Sequence, residues 1–159
     1  MTEWVLLAYR LPREPSGPRV TLWRKLRALG AVQLVDGLVA LPASGQNRER
    51  FDWLAEEIVD ADGEAWTFVA TPGSKAEQRA LAARLVEAAS EECRALLGEI
   101  EAMLASGERP HRRTVNRLRR ELRRIEEAEA LPVKERVKVR RAVERLTSLL
   151  EEADQEAPR

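Results

Sequence analysis

Residues 5–42, VLLAYRLPREPSGPRVTLWRKLRALGAVQLVDGLVALP, run from an apolar strand through a loop of prolines and arginines into a basic helix and a second apolar pair of strands. Val5-Leu6-Leu7-Ala8-Tyr9 is a short apolar run stopped by Pro12 and Pro15, the pattern of a buried strand. Ser16-Gly17-Pro18 then puts a capping residue and a proline where a helix begins. Val20, Trp23, Leu26 and Leu29 recur at helical spacing, which predicts that these four pack, with Gly30 as the stop. Arg19, Arg24, Lys25 and Arg27 lie off that stripe, so the other face is cationic and suits an anion, nucleic acid being the commonest large one. Two apolar runs, Val32 to Val35 and Leu38 to Leu41, flank Asp36-Gly37, a pair that tolerates the positive φ of a hairpin turn.

Working outward, Ser44-Gly45-Gln46-Asn47 reads as a loop, and Phe51, Leu54, Ile58 and Val59 as a second amphipathic helix ending near Gly63. Ala65 to Ala70 is a last strand before the break Thr71-Pro72-Gly73. The order is β-α-β-β-α-β, which predicts an α+β fold of ferredoxin-like arrangement over residues 1–73, both helices on one face of an antiparallel sheet. The uncovered face should carry Leu7, Gln33, Val35 and Val39 or their alternate neighbours, apolar enough to call for a homodimer or for cover by the chain's own helices. Residues 74–159 read as a helical hairpin or three-helix appendage. Ser74-Lys75-Ala76-Glu77 has the form of a capping box, and Leu81, Leu85, Ala88, Leu96, Ile100 and Met103 continue a stripe to Ser106-Gly107. Pro110 opens a second helix with Val115, Leu118, Leu122 and Ile125. Leu131-Pro132 breaks it, and Val139, Val143, Leu146 and Leu150 mark a third. From about Glu151 the chain reads as a solvated acidic tail.

Composition narrows the function classes. The chain has 159 residues, 44% of them hydrophobic and 34% charged, with 27 basic and 27 acidic side chains. Net charge is zero, yet the charge is segregated: residues 109–125 hold eight arginines against one acid, Glu121, while acids concentrate elsewhere. The single cysteine, Cys93, excludes an internal disulfide and a multi-cysteine metal site, and reads as a small packed side chain. One histidine, His111, excludes a histidine-rich metal centre. No apolar run approaches the ~20 residues of a membrane span, and no signal pattern opens the chain, so a cytoplasmic protein is expected. No catalytic triad, glycine-rich phosphate loop or zinc spacing occurs, which makes an enzyme the weakest class, with no cofactor and no metal expected. Paired acids such as Glu56-Glu57 and Glu126-Glu127 point apart on a helix and cannot share a metal.

The order Tyr9-Arg10-Leu11-Pro12, Pro15-Ser16, Arg19, Trp23-Arg24-Lys25-Leu26 and Leu29-Gly30-Ala31 resembles the N-terminal domain of ChrB-type chromate-resistance regulators. The resemblance covers about residues 4–105 and is looser beyond them. It implies a chromate-linked regulator of transcription, a class whose members usually carry a further C-terminal domain. The strand-helix order also looks like the ferredoxin-like domain of phenylacetate-pathway repressors and the small nuclease-like subunit of CRISPR adaptation complexes. The nucleases carry an aspartate after the first strand; Tyr9-Arg10 stands there in this chain, which argues against a metal nuclease.

Two groups of residues are candidate sites. Arg112, Arg113, Arg117, Arg120 and Arg124 suit DNA phosphates, because each guanidinium presents a fork of donors and binding releases counterions. The competing reading pairs these arginines with Glu126, Glu127, Glu129 and the acids of the preceding helix. Arg10, Arg13, Ser16 and Arg19 suit a tetrahedral oxyanion such as sulfate, phosphate or chromate at a helix start. The competing reading has Arg10 and Arg13 anchoring the loop on Glu3 or Glu14. Trp4, Trp23, Trp53 and Trp66 are expected in the core by spacing. A rival from another class is a protein-interaction module that docks through the seam Val115-Leu118-Leu122-Ile125.

Overall fold

The computed structural model describes residues 2–127 and 132–156. Its elements run β1 (Trp4–Arg10), α1 (Gly17–Ala28), β2 (Val32–Val35), β3 (Leu38–Pro42), α2 (Gly45–Asp60), β4 (Glu64–Ala70), α3 (Lys75–Ser106), α4 (Arg112–Glu127) and α5 (Val133–Glu156). The contacts divide the chain into two units, one through Leu85 and one from Val86. The first therefore includes the opening turns of α3 as well as the sheet.

In the first unit four strands pair in the order β2-β3-β1-β4, each neighbour antiparallel. Alternation along β1 sends Val5, Leu7 and Tyr9 to one face and Trp4, Leu6, Ala8 and Arg10 to the other. The first set packs with Val39 and Leu41 of β3, Leu22 and Leu26 of α1, and Phe51, Leu54 and Ile58 of α2. Leu7 and Val39 thus belong to the core, and Gln33, opposite Val39 in register, shares their side of the sheet. Their alternates Leu6, Ala8, Leu38 and Ala40 form the other face, with Trp66 and Phe68 as cross-strand partners of Ala8 and Leu6. Trp4, on that face, is buried, and its Nε1 donates to Gln78 Oε1 at 3.2 Å in the first turn of α3. Trp66 and Phe68 remain 67% and 51% exposed.

Three sequence expectations are corrected here. The buried side of α1 is Leu22 and Leu26, with Leu29 packed against them, while Val20 and Trp23 stand outside at 45% and 54% exposure. The reason is geometric: 22, 26 and 29 form one line of leucines, and Trp23 lies about 100° around the helix from Leu22. Of the four tryptophans only Trp4 is buried; Trp53 and Trp66 are exposed with Trp23. Residues 45–47 are not loop, because Ser44 caps α2 by accepting from the Asn47 amide at 3.0 Å.

The hairpin forms at Asp36-Gly37 with Gly37 at φ 75°. A Cβ there would also lie 2.5 Å from the Tyr9 carbonyl, so glycine is required twice over. Ser74 caps α3 as expected, through the Glu77 amide at 3.2 Å.

The second unit is a three-helix core. Cys93, Leu96 and Ile100 of α3, the α4 seam Val115, Leu118, Leu122 and Ile125, and Val139, Val143, Leu146 and Leu150 of α5 form one apolar cluster. Cys93 is a packed small side chain, and burial raises its thiol pKa, with Glu135 acting in the same direction. Because the whole α4 seam faces α3 and α5, it offers nothing to an outside partner. The acidic residues after Leu150 continue α5 through Glu156, with Glu151, Glu152 and Asp154 exposed; residues 157–159 lie outside the described set, as does Leu131 of the expected break.

Candidate functional site

In the first unit a cleft of about 950 Å³ opens where β1 ends, α1 begins and the β2–β3 turn closes. Local chemistry puts these three pieces together. The Tyr9 amide donates to the Gly37 carbonyl at 2.7 Å, tying the turn to the end of β1, and the Gly37 conformation keeps that approach possible. Tyr9, Arg10, Ser16, Arg19, Trp23, Gln33 and Asp36 line the cleft, with Leu11, Val20 and Leu22 among its apolar walls. Of the predicted anion set, Arg10, Ser16 and Arg19 come together there; Arg13 does not line it.

The partners differ from those foreseen. Arg10 pairs with Glu64, its register neighbour on β4, at 3.1 Å, not with Glu3 or Glu14. Ser16 occupies the cap position of α1 in a helical conformation, and its side chain makes no cap hydrogen bond. Arg19 makes no ion pair with any described residue. Gln33 Nε2 donates to Asp36 Oδ1 at 3.4 Å. Burial holds the Tyr9 phenol above its ordinary range, Asp36 adds to that shift and Arg19 opposes it, so Tyr9 presents a neutral hydroxyl. Trp23, which the helical spacing placed in the core, stands at the cleft with the Arg27 guanidinium 5.0 Å from its ring centroid. The sequence signal that could have found it is the i, i+4 pair Leu22-Leu26, which competes with the stripe through Trp23.

In the second unit the arginine run of α4 splits by helix face. Arg112 joins Asp154 at 2.6 Å, with Arg109 on the same carboxylate. Hydrogen bonding from Arg112 foremost, and then from Arg109, holds the Asp154 carboxyl below the usual carboxylate range. Arg117 is shared by Glu99 and by Glu121, the latter at 2.9 Å, and Arg124 reaches Glu92 at 3.2 Å. Glu126 is taken by Arg140 at 2.8 Å, while Glu129 and the Glu127 side chain lie outside the described residues. Three of the five predicted arginines are therefore neutralised by acids, and two, Arg113 and Arg120, carry no ion pair with a described residue. Arg123, outside the predicted set, joins them: residues 113, 116, 120 and 123 follow the i, i+3, i+7, i+10 line opposite the buried seam.

The larger cationic feature is on α5, where sequence reasoning placed none. Lys134, Lys138, Arg141 and Arg145 are all exposed and none forms an ion pair with a described residue. Their spacing, i, i+4, i+7, i+11, puts them in one row opposite Val139, Val143 and Leu146, about 16 Å long at 1.5 Å per residue. The row is not evident in the sequence because Glu135 and Glu144 dilute the local charge. No group of three or more His, Cys, Asp or Glu that could hold a metal occurs among the described residues. No helix of the described residues is long and apolar enough to cross a membrane.

Comparison with known proteins agrees with the motif resemblance. The sequence pattern of the family described as Protein ChrB, N-terminal, matches residues 19–157, so the chain belongs to that family. The match takes in the helical unit and starts after Tyr9-Arg10-Leu11-Pro12. Protein ChrB of Cupriavidus metallidurans is 37% identical over 89 residues, which is 54% of this chain and 28% of the relative. The chain thus aligns with little more than a quarter of that relative's length. No solved structure matches the chain.

Proposed function

We propose that this chain is a cytoplasmic, non-enzymatic module of chromate-resistance regulation that acts in transcription by holding DNA. Family membership and the motif resemblance supply the regulatory context. The observation that carries DNA binding is the row Lys134-Lys138-Arg141-Arg145, four exposed cations on a regular helix with no ion pair to a described residue, with Arg113, Arg120 and Arg123 as a second row on α4. Cations already satisfied by internal acids release few counterions on binding phosphate, whereas unpaired ones release their own. The effector we propose is an oxyanion, chromate or sulfate, received at Arg19 and Ser16. Both line the cleft, and neither side chain makes a hydrogen bond or ion pair with a described residue, while Arg10 shares its charge with Glu64.

We infer as well that the sheet unit is ferredoxin-like, which the strand order β2-β3-β1-β4 and the two helices packed on one face support. A homodimer through the face that leaves Trp66 and Phe68 exposed completes the reading. The test of the central claim is a mobility shift on a generic duplex at 50 and 200 mM salt. Retention at the lower concentration that falls by orders of magnitude at the higher one is expected for half a dozen phosphate contacts. No shift at 50 mM would sink the DNA reading.

A further inference from the structure

We infer that the cleft at the end of β1 takes a purine 5′-mononucleotide, with guanine preferred: phosphate on Arg19 and Ser16, ring against Trp23, base edge toward Gln33 and Asp36. The inference rests on the anion reading above and enlarges it, because the anion becomes one end of a larger planar ligand.

Size comes first. A cleft of about 950 Å³ is at the upper end of the range that houses whole organic ligands, and a tetrahedral oxyanion would occupy a small corner of it. The walls are also wrong for a bare ion. Tyr9, Leu11, Val20, Leu22 and Trp23 make much of the lining apolar and aromatic. Trp23 is not needed for folding, since Leu22 and Leu26 fill the core side of α1, yet it stands 54% exposed at the cleft. With the Arg27 guanidinium 5.0 Å from its ring centroid and over half of its surface still exposed beside the cleft, this indole is the wall a planar ring would stack on, and such stacking tolerates any base.

The polar groups divide between two kinds. The Arg19 guanidinium only donates and the Ser16 hydroxyl can donate beside it, so an acceptor-rich group matches both, and the guanidinium fork fits two phosphate oxygens at once. Asp36 is the opposite case: an ionised carboxylate only accepts, so it demands donors from whatever faces it. Guanine offers two in a row, the ring N1–H and the 2-amino group. Adenine offers only its 6-amino group, and pyrimidines leave the stacking surface smaller. Gln33, already hydrogen-bonded to Asp36, fixes that carboxylate and keeps an amide oxygen for the ligand. Tyr9, whose phenol stays protonated, adds a further donor to the lining.

Isothermal titration of the full chain with GMP, AMP, CMP, guanosine, inorganic phosphate and sulfate separates the possibilities. GMP should bind about tenfold more tightly than guanosine or phosphate, because each lacks one half of the recognition. Arg19→Ala and Trp23→Ala should each weaken GMP about tenfold, and Asp36→Asn should erase the preference for GMP over AMP. All three residues are exposed, and circular dichroism of each variant checks that the fold is kept. Sulfate or phosphate binding as tightly as GMP, with loss in Arg19→Ala, would overturn the nucleotide and leave the oxyanion reading standing. GMP binding that ignores all three substitutions would overturn the site, and absence of any binding would overturn both readings.

Discussion

The sheet unit and the helical unit dispose of their arginines in opposite ways. In the sheet unit Arg10 and Arg19 line a concave cleft with aromatic and hydrogen-bonding groups, a setting that selects a shaped ligand. In the helical unit Arg112, Arg117 and Arg124 are absorbed by Asp154, Glu99, Glu121 and Glu92, and what remains is rows of cations on convex helices with no ion pair among the described residues. Rows on convex helices suit a long polyanion and carry no pocket. The lesson is that a run of arginines in sequence is not a positive surface. Helix geometry sorts the run, and acids from distant elements cancel the part that faces them.

The comparison can be broken most decisively at the two cores. Leu118→Ala, in the fully buried seam of α4, should cost about 2–5 kcal/mol in the helical unit. All four tryptophans lie in the sheet unit, so their fluorescence melt should be unchanged while the far-ultraviolet dichroism loses helix at a lower temperature. A parallel loss in both signals would show that the units do not melt separately.

A second test asks whether paired and unpaired cations differ as claimed. Glutamine at Lys134, Lys138, Arg141 and Arg145 together should weaken duplex retention at 50 mM salt roughly a hundredfold and flatten the salt dependence by about three to four units of slope. Glutamine at Arg112, Arg117 and Arg124 should weaken it only a few-fold. The reverse ranking would return the interface to α4.

Next in size is Gly37→Ala. It forces a side chain into the left-handed region and against the Tyr9 carbonyl, at an expected cost of about 1–3 kcal/mol read from the fluorescence melt. The same substitution should widen the cleft and weaken any ligand there. Trp66→Ser should shift monomer stability by no more than about 0.5 kcal/mol, because the ring is exposed, yet it should lower the dimer fraction seen by light scattering. An unchanged dimer would move the self-association off the open sheet face.

The smallest effect is electrostatic. Asp154 is held below its ordinary pKa in the folded chain, so the stabilisation it brings is present above the ordinary carboxylate range and is lost as pH falls through the depressed value. Asp154→Asn should remove that acid-side loss and leave the melt nearly unchanged at neutral pH, since the pair is exposed.

Much of this was legible in the chain before any coordinates. Short apolar runs broken by Pro12, Asp36-Gly37 and Pro72-Gly73 located the strands, because proline and glycine act on the backbone wherever they stand. The α4 seam was legible too, since its four apolar residues are the only ones available between arginines. Trp23 was not, because Val20-Trp23 and Leu22-Leu26 both satisfy helical spacing and only the position of the sheet decides which line is buried. The cleft was half legible: Arg19 and Ser16 are close in sequence, but Gln33 and Asp36 reach them only through the Tyr9–Gly37 bond. The row on α5 was hidden by Glu135 and Glu144, which dilute its charge along the chain; the phase of the helix sets the four cations in one line.

By itself, then, the sequence determined the order of elements, the hairpin turn, the membership of both cores in outline and the family, all of which rest on local backbone preference and periodic burial. Tertiary structure decided which arginines are free, which tryptophans are exposed and which residues meet at the cleft. Those are properties of pairs distant along the chain, fixed by packing and by the opposite charge that each partner happens to bring.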